Sequence, residues 1–360
     1  MTQAKINKNP RAGLFSTRRA LVLAAALAVG TALPAGTALA QASSRAVSAA
    51  DWNKTLDAAR KEGKVVVYAT MAPAVHDRIV AAFNAAYPGI KMELVRVVGA
   101  ALTTKVEQER AANVEGADMM LTADIRYALE ATKKGYLKVP VGPNAATYPD
   151  AYVKNGQLVF LGFNPWIFNY NTNLVKTPVT SYQDLLRPEF TNKVGSMALV
   201  AEVGTIWYKW LDDNYPGYLE GMAKQNVKMY PSSVGATAAT ASGEIAANMF
   251  SVIPIDAALQ AQNAPVKTVI PNPVYGFSYG GAVLSWARNP NAALVALDFL
   301  MSVKGQSAIV GNQEAASVLP NVPGALDTSK MNIQMLDWEK QTPESVKAFE
   351  AKWNKLFGTR

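Results

Sequence analysis

The feature that most constrains this chain is the regular exchange of short β-branched runs for helical segments between residues 48 and 135. Ser48 can cap a helix whose apolar positions Trp52, Leu56 and Ala59 fall at helical spacing, and Gly63 can take the left-handed stop. Lys64–Ala69 then reads as a buried strand. Pro73 suits a first helical turn, Ile79, Val80, Phe83 and Ala86 share one face, and Tyr87-Pro88-Gly89 ends that helix. Strands over 90–98 and 117–121 and helices over 102–112 and 125–134 complete the series. Successive βα units predict a mostly parallel sheet with helices on both faces.

A second series follows a stretch rich in Pro, Gly and Asn at 140–149. Residues 166–171 read as a strand, Ser181 with Asp184 as a capping box, 193–200 as a strand and 205–212 as a helix. Residues 245–251 and 282–286 have strand character. Asn289-Pro290 opens a helix carrying Leu294, Leu297, Phe299 and Leu300, and Thr342-Pro343-Glu344 opens the last one, through Phe349 and Trp353. Half of the 360 residues are hydrophobic, more than one core usually accommodates, so two lobes are expected.

The first forty residues read as an export address. A basic leader to Arg19, an apolar stretch broken by Gly30, Pro34 and Gly36, and Ala38-Leu39-Ala40 make a signal peptide over 1–40, cleaved near Ala40. Ser16-Thr17-Arg18-Arg19-Ala20-Leu21 resembles a twin-arginine signal, although ordinary export signals also carry Arg-Arg. That leader contains Lys5, Lys8, Arg11, Arg18 and Arg19 and no acid, so the formal +8 of the whole chain falls to +3 without it. A near-neutral mature chain has no charge excess for gripping nucleic acid. The absence of cysteine excludes disulfides and thiolate sites, and a single histidine, His76, excludes histidine-rich metal sites.

Lys64 to Tyr68, Phe83 with Tyr87-Pro88-Gly89-Ile90, and Glu107 to Arg110 with Gly116-Ala117-Asp118 resemble the first lobe of the periplasmic solute-binding proteins of ABC importers, in the branch that includes ferric-iron binders. The likeness continues in order through Tyr170-Asn171-Thr172, Ser181 to Leu185 with Pro188, Ser242-Gly243-Glu244, Asn291-Ala292-Ala293 with Phe299-Leu300, and Gly305-Gln306. It implies a two-lobed α/β fold, each lobe a mixed, mostly parallel sheet flanked by helices, with a ligand cleft between them. Lobe 1 is expected from 46–165 plus 277–325 and lobe 2 from 168–275 plus 326–360. The implied protein is a non-catalytic, cofactor-free periplasmic monomer that hands a small solute to a membrane permease and its ATPase.

In such sheets ligands sit beyond the carboxyl ends of strands, at helix N-termini. The matching positions are Thr70 and Met71, Thr122 and Asp124, Glu202 and Thr205, Ser251 and Asp256, and Tyr275, Ser278 and Tyr279 in a Gly-rich turn, with Trp166 and Tyr170 as a floor. Asp124 and Thr122 read equally well as helix caps, and Trp166 as inter-lobe core; Trp207, Tyr208 and Trp210 read as core. His76 reads as a surface or first-turn helix residue. Ferric-iron members place a His, a Glu and a tyrosine pair where this chain has Ala72, Ala123, Ile253 and Pro254, none of which offers an anionic oxygen. The iron ligands are therefore not carried over, although Tyr170, Tyr275 and Tyr279 keep an iron or iron-chelate alternative open.

Gly276-Phe277-Ser278-Tyr279-Gly280 fits the nucleophile-elbow motif of a secreted serine hydrolase, but no histidine follows Ser278. Asp124, Glu202 and Asp256, with Arg126 as the only nearby base and three aromatic rings, favour a cationic or amine-bearing solute. An anion held by helix N-termini and hydroxyls is the other open option.

Overall fold

The computed structural model describes residues 45–199, 202–335 and 341–358. The export signal expected over 1–40 lies outside the described residues. The chain opens with α1 (Ala49–Glu62), capped by the Ser48 hydroxyl at one end and by Gly63 at φ 71° at the other. β1 (Lys64–Ala69), α2 (Pro73–Ala86), β2 (Lys91–Arg96), α3 (Ala100–Ala112), β3 (Met119–Thr122) and α4 (Ile125–Lys133) follow in strict alternation. β1 lies parallel to β2 and to β3, with Val67 opposite both Leu94 and Met119. The carboxyl ends of these strands therefore share one edge.

Beyond α5 (Pro143–Thr147) and β4 (Val153–Lys154) runs the long β5 (Leu158–Asn171). Then come β6 (Val194–Met197), α6 (Glu202–Asn214), α7 (Tyr218–Lys224), β7 (Lys228–Tyr230), α8 (Ser233–Ser242), β8 (Ala247–Val252), α9 (Ile253–Gln260), β9 (Val266–Val269) and β10 (Val274–Val283). The chain closes with α10 (Pro290–Leu300), α11 (Val303–Val310), β11 (Ile333–Met335) and α12 (Pro343–Phe357). The strand order is β2-β1-β3-β10-β5-β8-β6-β7. β6 is parallel to β7 and β8, so this end repeats the mixed architecture of the other.

β5 belongs to both ends. Val159 to Pro165 pair with β10, whereas Trp166 to Asn171 pair with β8 and β9. Both ladders slip where it changes partner, between Phe277 and Tyr279 on β10 and between Ile167 and Asn169 on β5. Such slips loosen a ladder locally and turn its strands. Pro165 sits in the same stretch, and its missing N–H removes one more ladder bond.

The strand expected over 166–171 is thus the second half of β5, whereas the strand expected over 282–286 overlaps only the end of β10, which stops at Val283 before a turn at 285–286. The Gly-rich stretch 275–280 is a strand and not a turn. Its glycines make room: a Cβ on Gly276 would stand 2.5 Å from the Asn164 carbonyl oxygen, and one on Gly281 2.8 Å from Leu161. Ser278 accordingly sits inside a strand, without the strand-to-helix elbow that its motif demands.

Helices pack as their apolar faces dictate. Eight of the eleven residues of α10 are buried. Its Asp298 accepts from the backbone N–H of Asn144 at 2.9 Å and of Ala145 at 2.8 Å, which fixes the start of α5. Trp207, Tyr208 and Trp210 are buried on α6, against which α12 packs. Among the described residues no single helix is long and apolar enough to cross a membrane.

Candidate ligand cleft

A cavity of about 100 Å³ lies where β5 and β10 pass between the two ends of the sheet. Thr70, Arg96 and Asp124 reach it from the β1–β3 side, and Met197, Ser232 and Ser233 from the β6–β8 side. Trp166 and Phe277, on the crossing strands, line it too. At about 30 Å³ for each water in the liquid, it has room for roughly three waters.

Helix starts converge on this cavity because parallel strands deliver their helices at their carboxyl ends. Its wall includes the N-terminal caps Ala72 of α2, Gly99 of α3, Asp124 of α4, Ser232 of α8 and Val252 of α9, together with Val203 in the first turn of α6. Each helix start carries unpaired N–H groups and the positive end of a dipole. Two of these caps spend their side chains on their own helix: Asp124 accepts from the Tyr127 N–H at 3.1 Å, and Ser232 Oγ from the Gly235 N–H at 3.2 Å.

The basic side chain in the wall is Arg96, the last residue of β2. Its Nε donates to the Met71 carbonyl oxygen at 3.1 Å, and no carboxylate forms an ion pair with it among the described residues. Burial draws the guanidinium below its ordinary pKa, opposed by the neighbouring Tyr279. Tyr279 is buried and its phenol is pushed up by desolvation, so it stands in the wall as a neutral hydroxyl. Burial also raises the Asp124 carboxyl, against the Tyr127 N–H and Arg126.

The remaining wall is aromatic. Trp166 stacks on Phe277 with ring centres 4.9 Å apart at 30°, and Tyr279 meets Phe277 edge-on at 5.1 Å. Phe250 lies 6.1 Å from Trp166 on the other side.

Of the positions singled out in the sequence, Thr70, Asp124, Trp166 and Tyr279 line the cavity. The others do not. Met71 is buried and contributes its carbonyl to Arg96, and Thr122 is buried with its hydroxyl accepting from the Asp124 N–H at 3.0 Å. Ser251 donates to Asp256 at 2.8 Å, and that buried carboxylate also accepts from Asn169 at 2.7 Å and Thr268 at 2.9 Å, behind the wall. Burial pushes the Asp256 carboxyl up to about 6. Tyr275 stacks face to face on Trp210 at 4.7 Å, and Tyr170 stands half-buried beyond the crossing, opposite Ala247 and Lys267. Thr205 and Ser278 are buried away from the cavity. The Glu202 side chain lies outside the described residues. Arg126 spends its guanidinium on the Gln341 carbonyl oxygen. His76 is buried rather than superficial, in the first turn of α2, where desolvation and then Arg96 lower it to about 4.

Arg96, Ser232 and Ser233 were missed for identifiable reasons. A strand read through residue 98 hid Arg96 in its interior, whereas β2 stops at Arg96 itself. α8 lacks large apolar residues to mark a face, but Pro231-Ser232 ahead of it and Gly243 behind it are cap signals.

The model of the bacterial extracellular solute-binding proteins matches residues 64–312. The chain belongs to that family. Comparison with curated protein sequences finds no match. Among solved structures, the substrate-binding protein of an ABC transporter from Agrobacterium tumefaciens aligns with a TM-score of 0.74 at 17% identity, over 84% of this chain and 97% of that one. AfuA from Actinobacillus pleuropneumoniae, with fructose-6-phosphate bound, gives 0.68 at 20% identity, over 83% and 100%. Iron-bound HitA from Pseudomonas aeruginosa gives 0.64 at 16% identity, over 81% and 99%. This solute-binding protein therefore has the two-lobed periplasmic-binding-protein fold, a fold shared by solute-binding components of ABC transporters. Such components work with membrane permease and ATPase subunits and are generally not enzymes.

Proposed function

We propose that this solute-binding protein captures a small organic anion in the cleft and delivers it from the periplasm to its permease and ATPase without turning it over. The observation that carries this is Arg96, a cation in the wall with no carboxylate ion pair among the described residues and with helix N-termini beside it. An anion would supply the missing partner and accept from backbone N–H groups. Of the three acids behind the cationic option, Asp256 is sealed behind the wall and Asp124 lines the cavity while capping its own helix, which leaves Arg96 as the stronger guide.

Ferric iron requires several hard anionic oxygens. The described wall offers one carboxyl, Asp124, and one phenol held neutral, Tyr279. No group of three or more His, Asp and Glu suited to a metal ion stands among the described residues. We assign lobe 1 to 46–165 plus 277–325 and lobe 2 to 168–275 plus 326–360, hinged at the slipped ladders of β5 and β10. The mature monomer begins after a signal peptide removed near Ala40.

Thermal unfolding with a panel of carboxylates, phosphonates, sugar phosphates, polyamines and ferric citrate tests the reading. At a hundred times its Kd a ligand adds about 2.7 kcal/mol and raises the midpoint by several degrees. Anions are expected to do so and polyamines are not. A shift with polyamines alone, or a tyrosinate-to-iron absorption band, would overturn it.

A further inference from the structure

The anion-binding reading says what holds the head of the solute; the rest of the wall says what its body is. We infer that the ligand is an organic anion with a flat, apolar body, an aromatic carboxylate or phosphonate rather than a sugar phosphate. This inference rests on the anion reading.

Seven side chains in the wall carry polar atoms: Thr70, Arg96, Asp124, Trp166, Ser232, Ser233 and Tyr279. Three are already committed. Thr70 Oγ1 accepts from the Ala123 N–H at 3.1 Å and contacts the Leu121 carbonyl oxygen at 3.5 Å, Asp124 accepts from Tyr127, and Ser232 accepts from Gly235. That leaves Arg96, Ser233, the Tyr279 hydroxyl and the Trp166 indole N–H, together with helix-start N–H groups, about as many donors as one anionic head consumes. A polyhydroxylated body would bring several further hydroxyls into a wall otherwise built of Val98, Met197, Phe250, Val252 and Ile255. Buried hydroxyls without partners cost affinity.

The aromatic residues supply what a ring needs. Trp166 and Phe277 are stacked on each other, and Tyr279 and Phe250 flank them with their rings tilted away from parallel. Offset and edge contacts of this kind favour another aromatic ring over an aliphatic chain of equal area. Arg96 and these rings line one cavity, so a head joined directly to a ring can meet both at once.

Isothermal titration of the full mature chain with head-matched pairs tests this: benzoate against acetate, phenylphosphonate against methylphosphonate and glucose 6-phosphate, with benzylamine as the cationic control. The aromatic anions are expected to bind at least tenfold tighter than their head-only partners and than glucose 6-phosphate, with a negative heat-capacity change. Phe277→Leu is expected to weaken phenylphosphonate much more than methylphosphonate, and equal weakening of the two would overturn the inference. Should the sugar phosphate bind as tightly as phenylphosphonate, the body inference falls and the anion reading stands. Should benzylamine bind and no anion do so, both fall. Failure of both aromatic anions to bind overturns the inference whatever else binds.

Discussion

The Nε of Arg96 donates to the Met71 carbonyl oxygen at 3.1 Å and so ties the last residue of β2 to the turn that follows β1. One bond to a backbone oxygen is enough to hold the guanidinium in the cavity wall, but it does not neutralise the charge. Without ligand, a partly buried cation lacking an ion pair works against folding.

Arg96→Met should therefore leave the ligand-free protein within about 1 kcal/mol of wild type, or more stable than it. Chemical denaturation of both proteins, stripped of ligand, checks this. A loss of more than about 3 kcal/mol would show that Arg96 supports the fold itself.

Two buried groups titrate against each other. Folded Asp256, pushed up to about 6, keeps its proton between about pH 4 and 6, where an unfolded Asp has lost it, so stability falls as pH rises through that window. The cost at neutral pH is about 3 kcal/mol, since each pKa unit is worth about 1.36 kcal/mol. Folded His76, lowered to about 4, refuses the proton that an unfolded histidine binds below pH 6.5, so stability falls as pH drops through nearly the same range. In the wild type the two slopes oppose.

Asp256→Asn should expose the His76 limb as a steeper loss from pH 6.5 down to 4.5. His76→Gln should expose the Asp256 limb as a loss with rising pH. The amide of Asn169, whose Oδ1 has no partner among the described residues, can turn over to accept from the amide that the first substitution introduces. Unfolding free energies against pH for both variants check the signs, and parallel profiles would contradict them.

The crossing of β5 and β10 depends on bare backbone. An alanine Cβ at Gly276 would meet the Asn164 carbonyl oxygen and the Phe163 ring, both at 2.5 Å, and the strands would have to part. At Gly281 the obstacles are the ends of Leu161 at 2.8 Å and Leu297 at 3.1 Å, which can turn aside. Gly276→Ala should cost about 2–3 kcal/mol and Gly281→Ala about 1 kcal/mol. Denaturant midpoints decide the order.

These glycines also show where the sequence was legible and where it was not. Caps and periodicity made α1 to α4 readable: Ser48, Gly63 and Asp124 act locally, within one turn of the residues they serve. Thr342 likewise caps α12, and Ser181 with Asp184 forms the expected capping box. β10 resisted because glycine speaks for a turn locally, whereas its reason here is the approach of a strand more than a hundred residues away. The cleft resisted in the same way. Thr70 and Asp124 follow from strand ends, but Arg96 joins them only because β2 stops at that residue, which alternation alone does not mark.

The most direct test is calorimetric titration of the anion that most stabilises the protein, repeated with Arg96→Met. Removing the charged partner of a bound anion costs about 2–5 kcal/mol, a factor of roughly thirty to several thousand in Kd. The predicted result is a loss of that size with the circular dichroism spectrum preserved and the ligand-free protein within about 1 kcal/mol of wild type or more stable. An unchanged Kd in a folded Arg96→Met protein would contradict the account.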